Sequence, residues 1–204
     1  MAKFYDSLND KHVAFIKAQK MFFVATAPLS DSGRVNLSPK GYDSFRVIGP
    51  NRVAYADLGG SGAETLAHVR ENGRITFMFC AYEGAPNIMR LYGRGEAIQF
   101  NDPGFAEEIA KFPPGHERAR DIIFADIHQV QDSCGWAVPF YEFKGERDQL
   151  RRYIEHKPLE EWYESRLTKN AHFICARGRG GRFADLREVI AAARATPGAV
   201  THGS

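Results

Sequence analysis

The chain has 204 residues, enough for one domain with a single large hydrophobic core. Lys and Arg number 27 against 25 Asp and Glu, which excludes a protein that binds nucleic acids or membranes through a large net charge. A hydrophobic fraction of 44% with 25% charged residues excludes a disordered chain. Cys80, Cys134 and Cys175 form no C-x-x-C motif, so we expect no disulfide framework and a reducing compartment.

The N-terminal stretch 2–18 is interrupted by charged residues, including Lys3, Asp10 and Lys17. It therefore lacks the continuous apolar run of a signal peptide. No later stretch is apolar over the length that is needed to cross a membrane. We expect a cytoplasmic protein.

The predicted elements are short strands and helices joined by tight turns. Asn9 is a suitable cap for a first helix, after which the apolar run 21–27 has strand composition and ends at Pro28. Further predicted strands cover 35–40, 45–48, 52–57, 74–80, 88–100 and 122–131; predicted helices cover 63–71, a stretch from 102, and a pair over 147–167 that is broken at Pro158. The stretch 111–120 is expected to be a surface connection.

Turn signals between the strands indicate how they pair. The tripeptide 49–51 is a hairpin-turn signal, and Gly93 and Gly95 allow a bulge within the long strand 88–100. Strands that follow each other through tight turns pair antiparallel, whereas a doubly wound sheet alternates strands with helices. The sequence therefore predicts an α+β fold, mainly an antiparallel β-barrel with peripheral helices.

We expect a barrel domain over 1–140 and a C-terminal helical extension and tail over 141–204 that belongs to the same domain. The tail contains the Arg- and Gly-rich tract 177–182, followed by an Ala-rich stretch. A solvated tail with a short helix is the expected structure. The alternative is an RNA-binding segment, but the tract lacks the interleaved aromatic residues that stack on bases.

The segment 53–66 runs from a strand through a glycine turn into a helix. Gly59, Gly60 and Gly62 let backbone N–H groups approach an anion, Ser61 adds a hydroxyl, and the helix adds the positive end of its dipole. The turn is not a Walker loop, because no Gly-Lys-Ser/Thr follows, and it lacks the third glycine of a Rossmann fingerprint. We interpret it as a phosphate-binding turn.

Two alternatives for the glycine turn stay open. Its glycines could serve tight geometry alone, with Ser61 as a helix cap. The turn could also be a nucleophile elbow with Ser61 as the nucleophile of a hydrolase, for which His68 is the nearest base.

The strand at 35–40 has a polar face. Alternate side chains on a strand point the same way, so Asn36, Ser38 and Lys40 align an amide, a hydroxyl and an ammonium group. Such a row suits a polar ring edge and a phosphate, whereas incidental polarity on a solvent-facing strand is the alternative. The histidines show no metal-binding pattern, so we expect no metal site.

With these segments in this order, residues 22–100 resemble the pyridoxamine 5'-phosphate oxidase-like family of FMN-binding split barrels. The resemblance is carried by the polar strand, by Tyr55-Ala-Asp-Leu-Gly-Gly-Ser-Gly62, by Glu71-Asn-Gly-Arg-Ile-Thr-Phe-Met-Phe79 and by Arg90-Leu-Tyr-Gly-Arg-Gly-Glu-Ala-Ile98. It implies a six-stranded split barrel that forms a homodimer, with one FMN in each of two clefts at the subunit interface.

The resemblance also implies which residues contact the cofactor. The strand positions lie along the isoalloxazine ring, the turn positions face the ribityl phosphate, and a third group approaches from the other subunit. The strand positions are Asn36, Leu37, Ser38 and Lys40. The turn positions are Tyr55, Ser61 and Gly62, and the group from the other subunit is Arg90 and Ser133.

The sequence departs from the vitamin B6 oxidases of that family at the phosphate turn. Ser61 and Gly62 stand where those enzymes have a basic pair, and Val35 stands where they usually have Arg. The charge that neutralises a phosphate must therefore come from elsewhere, with Arg34, Lys40 and Arg90 as candidates.

A second departure concerns the C-terminal Trp and Arg pattern that grips pyridoxal phosphate in those enzymes. Here Trp162 is followed only by Arg166, within a predicted helix. The Ser-Cys-Gly-aromatic-Ala-Val-Pro tract at 133–139 is closer to the general flavoprotein branch. We therefore expect no oxidation of vitamin B6.

The resemblance implies an FMN-dependent oxidoreductase that acts on an unknown small molecule by hydride transfer at flavin N5, with NADH or NADPH as a candidate reductant. No catalytic residue is assigned. The alternatives are a non-catalytic flavin- or haem-binding protein on the same barrel and the serine hydrolase that would use Ser61. Neither nucleic acid nor a membrane is an expected partner.

Overall fold

The fold is α+β, as predicted: one antiparallel sheet with helices at its periphery. A computed structural model describes residues 2–60 and 62–169, with the side chains of 167–169 excepted; Ser61, Cys175 and the tract 177–182 lie outside the described residues. The strands are β1 (Lys3–Tyr5), β2 (Phe22–Thr26), β3 (Asn36–Lys40), β4 (Phe45–Gly49), β5 (Arg52–Asp57), β6 (Arg74–Cys80), β7 (Ile88–Gln99) and β8 (Asp121–Ser133). The helices are α1 (Asp10–Ala18), α2 (Glu64–Asn72), α3 (Phe105–Ile109), α4 (Gln149–Glu155) and α5 (Leu159–Lys169).

The sheet curls into a barrel that is split along one side. The strand order is β3-β2-β6-β7-β8-β5-β4, with β1 added to β8, so β3 and β4 are the two ends of the path. Phe45 on β4 nevertheless packs against Phe22 of β2 and Phe79 of β6, with ring centroids 5.0 Å apart in both pairs. The two ends therefore face each other around a common core.

The bulge predicted in the long strand lies at Gly93, where the register between β7 and β8 shifts. A Cβ atom at Gly93 would lie 2.7 Å from the carbonyl oxygen of Asp126. Only glycine therefore permits this approach of the two backbones, which bends β7 and helps the sheet to curl.

Two hydrophobic clusters lie on the two faces of β5. Val53 and Tyr55 point into the barrel, and Ala54 and Ala56 point outward against α3, α4 and α5. Because both faces are buried, β5 shows a continuous apolar run rather than an alternation. The outer cluster includes Trp162 of α5, so the C-terminal helices cover the outside of the barrel.

Local signals in the sequence determine the helix ends. Asn9 caps α1, since its side chain accepts a hydrogen bond from the His12 N–H and the His12 ring accepts one from the Asn9 N–H. Gly73 ends α2 in the left-handed conformation. Pro158 separates α4 from α5, as predicted. Among the described residues, none of the helices is long and apolar enough to cross a membrane.

Two expectations need correction. The described residues form eight strands, one more than the seven that the sequence patterns predict; the additional strand, β1, is three residues long, too short to show a strand period in the sequence. The stretch 111–120 is not a surface connection throughout, because His116, Ala119 and Arg120 are buried. The C-terminal helices cover it, and Arg118 donates hydrogen bonds to the carbonyls of Ile154 and Lys157.

Candidate functional site

Three of the four predicted strand residues share one face of β3. Asn36, Ser38 and Lys40 stand opposite Thr26, Val24 and Phe22 of β2, which point into the barrel. Directly opposite residues of an antiparallel pair lie on the same face, so the polar row lines the barrel interior beside the split. The fourth residue, Leu37, points to the outer face and is 62% exposed.

The first part of the row is tied to α2. The Asn36 amide donates to the hydroxyls of Thr65 (2.8 Å) and Thr26 (3.3 Å), and the Ser38 hydroxyl donates to the Asn36 carbonyl oxygen (3.0 Å). The Thr26 hydroxyl lies 3.0 Å from Nδ1 of His68, whose pKa is lowered by burial. Asn36 and Ser38 therefore hold α2 against the end of the barrel.

Lys40, at the end of the row, belongs to a buried ionic cluster. Its Nζ lies 3.2 Å from one oxygen of Asp57, and Arg120 lies 2.8 Å from the other. Arg120 also pairs with Asp121 at 3.0 Å, and Asp57 and Asp121 are neighbours across β5 and β8. Two cations and two carboxylates thus meet at one end of the barrel interior.

The pKa values of the two carboxylates in the cluster are shifted in opposite directions. Burial raises the pKa of Asp57, but the charges of Lys40 and Arg120 outweigh it and hold the pKa below its usual value. Burial raises the pKa of Asp121 to about 6, and the charge of Asp57 adds to this effect. Asp57 is therefore the permanent anion of the cluster.

Tyr55 lies beside the cluster and is fully buried. Its hydroxyl approaches Thr65 but forms no hydrogen bond of normal geometry in the described part of the chain, and burial raises its pKa well above the usual value. Oδ1 of Asp121 and Nε of Arg166 are also buried without a partner there. Since buried polar atoms are nearly always paired, each of these atoms is expected to bind water or a polar molecule.

The glycine turn follows Asp57 directly. Gly59 has φ +77° and donates its N–H to the Asp57 carboxylate at 3.0 Å. Gly60 is exposed, and nothing lies within 4 Å of where its Cβ would be. The helix α2 begins just beyond, with Ala63 as its N-cap, which offers no side chain to cap the first N–H groups. The turn therefore keeps an open side next to the positive end of a helix.

Two buried arginines hold the other side of the turn. Arg120 donates to the Gly62 carbonyl at 2.7 Å, and Arg166 of α5 donates to the carbonyls of Gly60 (3.0 Å) and Gly59 (3.4 Å). These arginines were not predicted as site residues. They are 58 and 106 residues from their partners in the turn, and the only sequence signal for either was the Trp162 and Arg166 pair on a predicted helix.

A negative charge also lies at the turn. The Glu64 carboxylate is placed against Gly62, so that a side chain at position 62 would collide with it. Glu64 is in the first turn of α2, where the helix dipole favours an anion. The carboxylate thus lies where an anionic ligand of the turn would approach.

The remaining predicted residues are elsewhere. Arg90 donates to the Ser133 hydroxyl at 3.1 Å, which donates in turn to the Ile88 carbonyl at 3.2 Å. The neighbours of Arg90 along β7, Met89 and Leu91, point into the core, so Arg90 points to the outer face. Arg34 is exposed beyond the end of β2. Of the three predicted phosphate cations, only Lys40 lies near the turn.

A cavity of about 540 Å³ adjoins the ionic cluster, and Lys40 is part of its wall. Residues of the segment 141–147 line it, together with residues 18–21 at the end of α1 and 39–42 at the end of β3. Its aromatic lining consists of Tyr42, Tyr82, Tyr141 and Phe143. The volume is in the range of small-molecule sites, and aromatic walls are typical of them.

Comparison with known proteins identifies the family. The family model described as pyridoxamine 5'-phosphate oxidase matches residues 8–165. The chain is 44% identical over 184 residues to the pyridoxamine 5'-phosphate oxidase family protein ustO of Aspergillus flavus, which covers 87% of this chain and 70% of that protein.

Similarities to solved structures are more distant. An FMN-binding protein from Syntrophomonas wolfei subsp. wolfei is 17% identical, with a TM-score of 0.40 over 57% of this chain and 80% of that one. A FAD-binding protein from Mesorhizobium loti is 13% identical, with a TM-score of 0.43 over 65% of this chain and 95% of that one. The family model and the identity to the Aspergillus protein show that this chain belongs to the pyridoxamine 5'-phosphate oxidase family.

Proposed function

We propose that this protein binds FMN, with the phosphate at the glycine turn, and acts as an FMN-dependent oxidoreductase on a small molecule. The observation that carries the proposal is the arrangement of the turn: its open side meets the start of α2, and Arg120 and Arg166 lie beneath it. Family membership supports a flavin as the ligand.

The residues present fit a flavin phosphate. Gly60 leaves open space for an anion, and Arg166 places a positive charge beneath the turn. This charge lies under the turn rather than in it, at a position where no basic residue at 61 or 62 is needed. The turn and α2 would hold the phosphate, and Lys40 would place a cation between the turn and the cavity.

A bound FMN supplies a hydride acceptor at N5, which needs no acid or base from the protein. The chain provides the surroundings for that chemistry. The Asp57 and Arg120 pair keeps the turn in shape, and α5 excludes water from its lower side. The cavity beside Lys40 provides room for the substrate, with aromatic walls against a planar group.

The proposal includes a homodimer. Arg90 and Ser133 lie on the opposite face of the sheet from Lys40, so one copy cannot bring all the predicted residues to one ligand. The outer side of the barrel also exposes apolar residues at two places, Val35 and Leu37 near β3, and Trp136 and Phe140 beyond β8. We propose that a second copy covers both places and is the source of the Arg90 at the first copy's cleft.

The first test is the absorption spectrum of the purified protein, with mass spectrometry of any cofactor released on denaturation. We expect the paired bands of a flavin and release of FMN rather than FAD. A Soret band would instead support the haem-binding alternative. A colourless preparation that neither FMN nor FAD reconstitutes would contradict the proposal.

A second measurement distinguishes an enzyme from a non-catalytic flavin-binding protein. We expect NADH or NADPH to bleach the flavin bands under anaerobic conditions, and oxygen or a substrate to restore them. A flavin that neither nucleotide reduces would favour the non-catalytic alternative.

For the hydrolase alternative, Ser61 lies outside the described residues. His68, the nearest base in the sequence, is buried, and its ring is hydrogen-bonded to Thr26.

A further inference from the structure

We infer that Arg166 of α5 is a positioning residue that sets the affinity of the glycine turn for a phosphate group. The inference rests on the proposed function, since it assigns a part of the same site. It makes the C-terminal helix a component of the phosphate site, although no part of that helix lines the open side of the turn.

Arg166 is held in a fixed orientation. Its side chain is 5% exposed, and the guanidinium carbon lies 4.0 Å from the centre of the Trp162 ring. Trp162 is fully buried and donates its indole N–H to the Arg118 carbonyl at 3.1 Å. The guanidinium is therefore packed between the Trp162 ring on one side and the glycine turn on the other.

Hydrogen bonds to the carbonyls determine where the N–H groups of the turn point. In a trans peptide unit the carbonyl oxygen and the next N–H lie on opposite sides of the chain. Because Arg166 donates to the Gly59 carbonyl, the N–H group of Gly60 faces away from this arginine. Gly60 is exposed, so this donor points to the open side of the turn, where an anion would bind.

The two arginines differ in whether nearby carboxylates neutralise their charge. Arg120 is balanced by Asp57 and Asp121, whereas Arg166 forms no ion pair within the described residues. Its positive charge is left beneath the turn, and burial lowers its pKa. A dianionic group on the open side would compensate this charge through the polarised peptide units between them.

The test compares the affinities of FMN and riboflavin for the full-length apoprotein, because the two ligands differ only in the phosphate. The variants are Arg166→Gln and Arg166→Lys, with Arg152→Gln as a matched control on α4, where an exposed side chain pairs with Asp148. We expect Arg166→Gln to weaken FMN about tenfold or more and riboflavin less than about twofold. Arg166→Lys should recover part of the loss, and the control should match the wild type.

Three results would overturn the inference. They are unchanged FMN affinity in Arg166→Gln, an equal loss for both ligands, and equal affinities of the wild type for FMN and riboflavin. If the wild type binds neither flavin, the proposed function itself is wrong. Should Arg166→Gln fail to fold, Trp162→Phe keeps a ring under the guanidinium but removes the bond to Arg118, and the same selective loss is expected.

Discussion

At the scale of single residues, Glu64 competes with the proposed ligand. Its carboxylate lies against Gly62 at the start of α2, where it interacts with the helix dipole. We expect Glu64→Gln to bind FMN about two- to fivefold more tightly and to leave riboflavin unchanged, since a nearby anion is removed. The same change should lower the free energy of unfolding by roughly 0.3–1 kcal/mol.

Parallel titrations with the two flavins and a urea unfolding curve measure both effects of Glu64→Gln. Glu107→Gln is the control for loss of a carboxylate at the start of a different helix, because Glu107 lies in the first turn of α3. An unchanged ratio of FMN to riboflavin affinity would show that Glu64 does not oppose the phosphate.

We expect Asp121 to make the stability of the folded protein depend on pH in the mildly acidic range. Its pKa is raised to about 6 by burial and by the charge of Asp57, so the folded state holds this proton more tightly than the unfolded chain. The stability that protonated Asp121 contributes is present below the pKa of an unfolded Asp, about 4, and is lost as pH rises toward 6.

Urea unfolding of the wild type and of Asp121→Asn between pH 4 and pH 7 checks this expectation. The free energy of unfolding of the wild type should decrease with rising pH relative to that of the variant, because Asn cannot titrate. Carboxylates outside the cluster cancel in the difference between the two proteins, and Asp57, whose pKa is lowered, stays ionised across this range. Two curves that remain parallel across this range would contradict it.

At the scale of elements, Gly93 controls the bend of β7. Alanine at this position would bring its Cβ within 2.7 Å of the Asp126 carbonyl oxygen, which belongs to the backbone of β8 and cannot rotate away. We expect Gly93→Ala to lower the free energy of unfolding by about 1–3 kcal/mol. Gly49→Ala in β4 is the control, since nothing lies within 4 Å of its Cβ position, and should change stability by less than about 0.5 kcal/mol.

The elements were predictable where their signals are local. The Asn9 cap, the end of α2 at Gly73, the break at Pro158 and the bulge at Gly93 each follow from one or two residues. The shared face of Asn36, Ser38 and Lys40 follows from the strand period. Local patterns therefore determined most strand and helix positions.

The candidate site was predictable only in part, because its cations come from distant places in the chain. Nothing near Arg120 or Arg166 in the sequence reveals that each would contact the glycine turn. The stretch around Arg120 has the Pro and Gly content of a surface loop, and only the packing of α4 and α5 buries it. Such contacts depend on tertiary structure, which local propensities do not encode.

At the scale of the whole molecule, the exposed apolar residues test the proposed dimer. Leu37 is 62% exposed on the outer face of β3, and Ile48 on β4 is 56% exposed. We expect Leu37→Glu to convert the dimer to a monomer and to weaken FMN, because a charge would be buried at the interface. Ile48→Glu is the control for an added surface charge. Light scattering after size exclusion measures the mass, and a dimeric Leu37→Glu variant would remove this face from the interface.

The bonds between α5 and the glycine turn also have a consequence for biosynthesis. The turn is translated about a hundred residues before the arginine that supports it, and the last three strands of the sheet, β6, β7 and β8, are translated in between. Since chains fold from the N-terminal side as they emerge, the barrel can form on the ribosome before Arg166 is available. On the proposed function, incorporation of the cofactor would therefore be a late step of maturation, which follows the release of α5 from the ribosome.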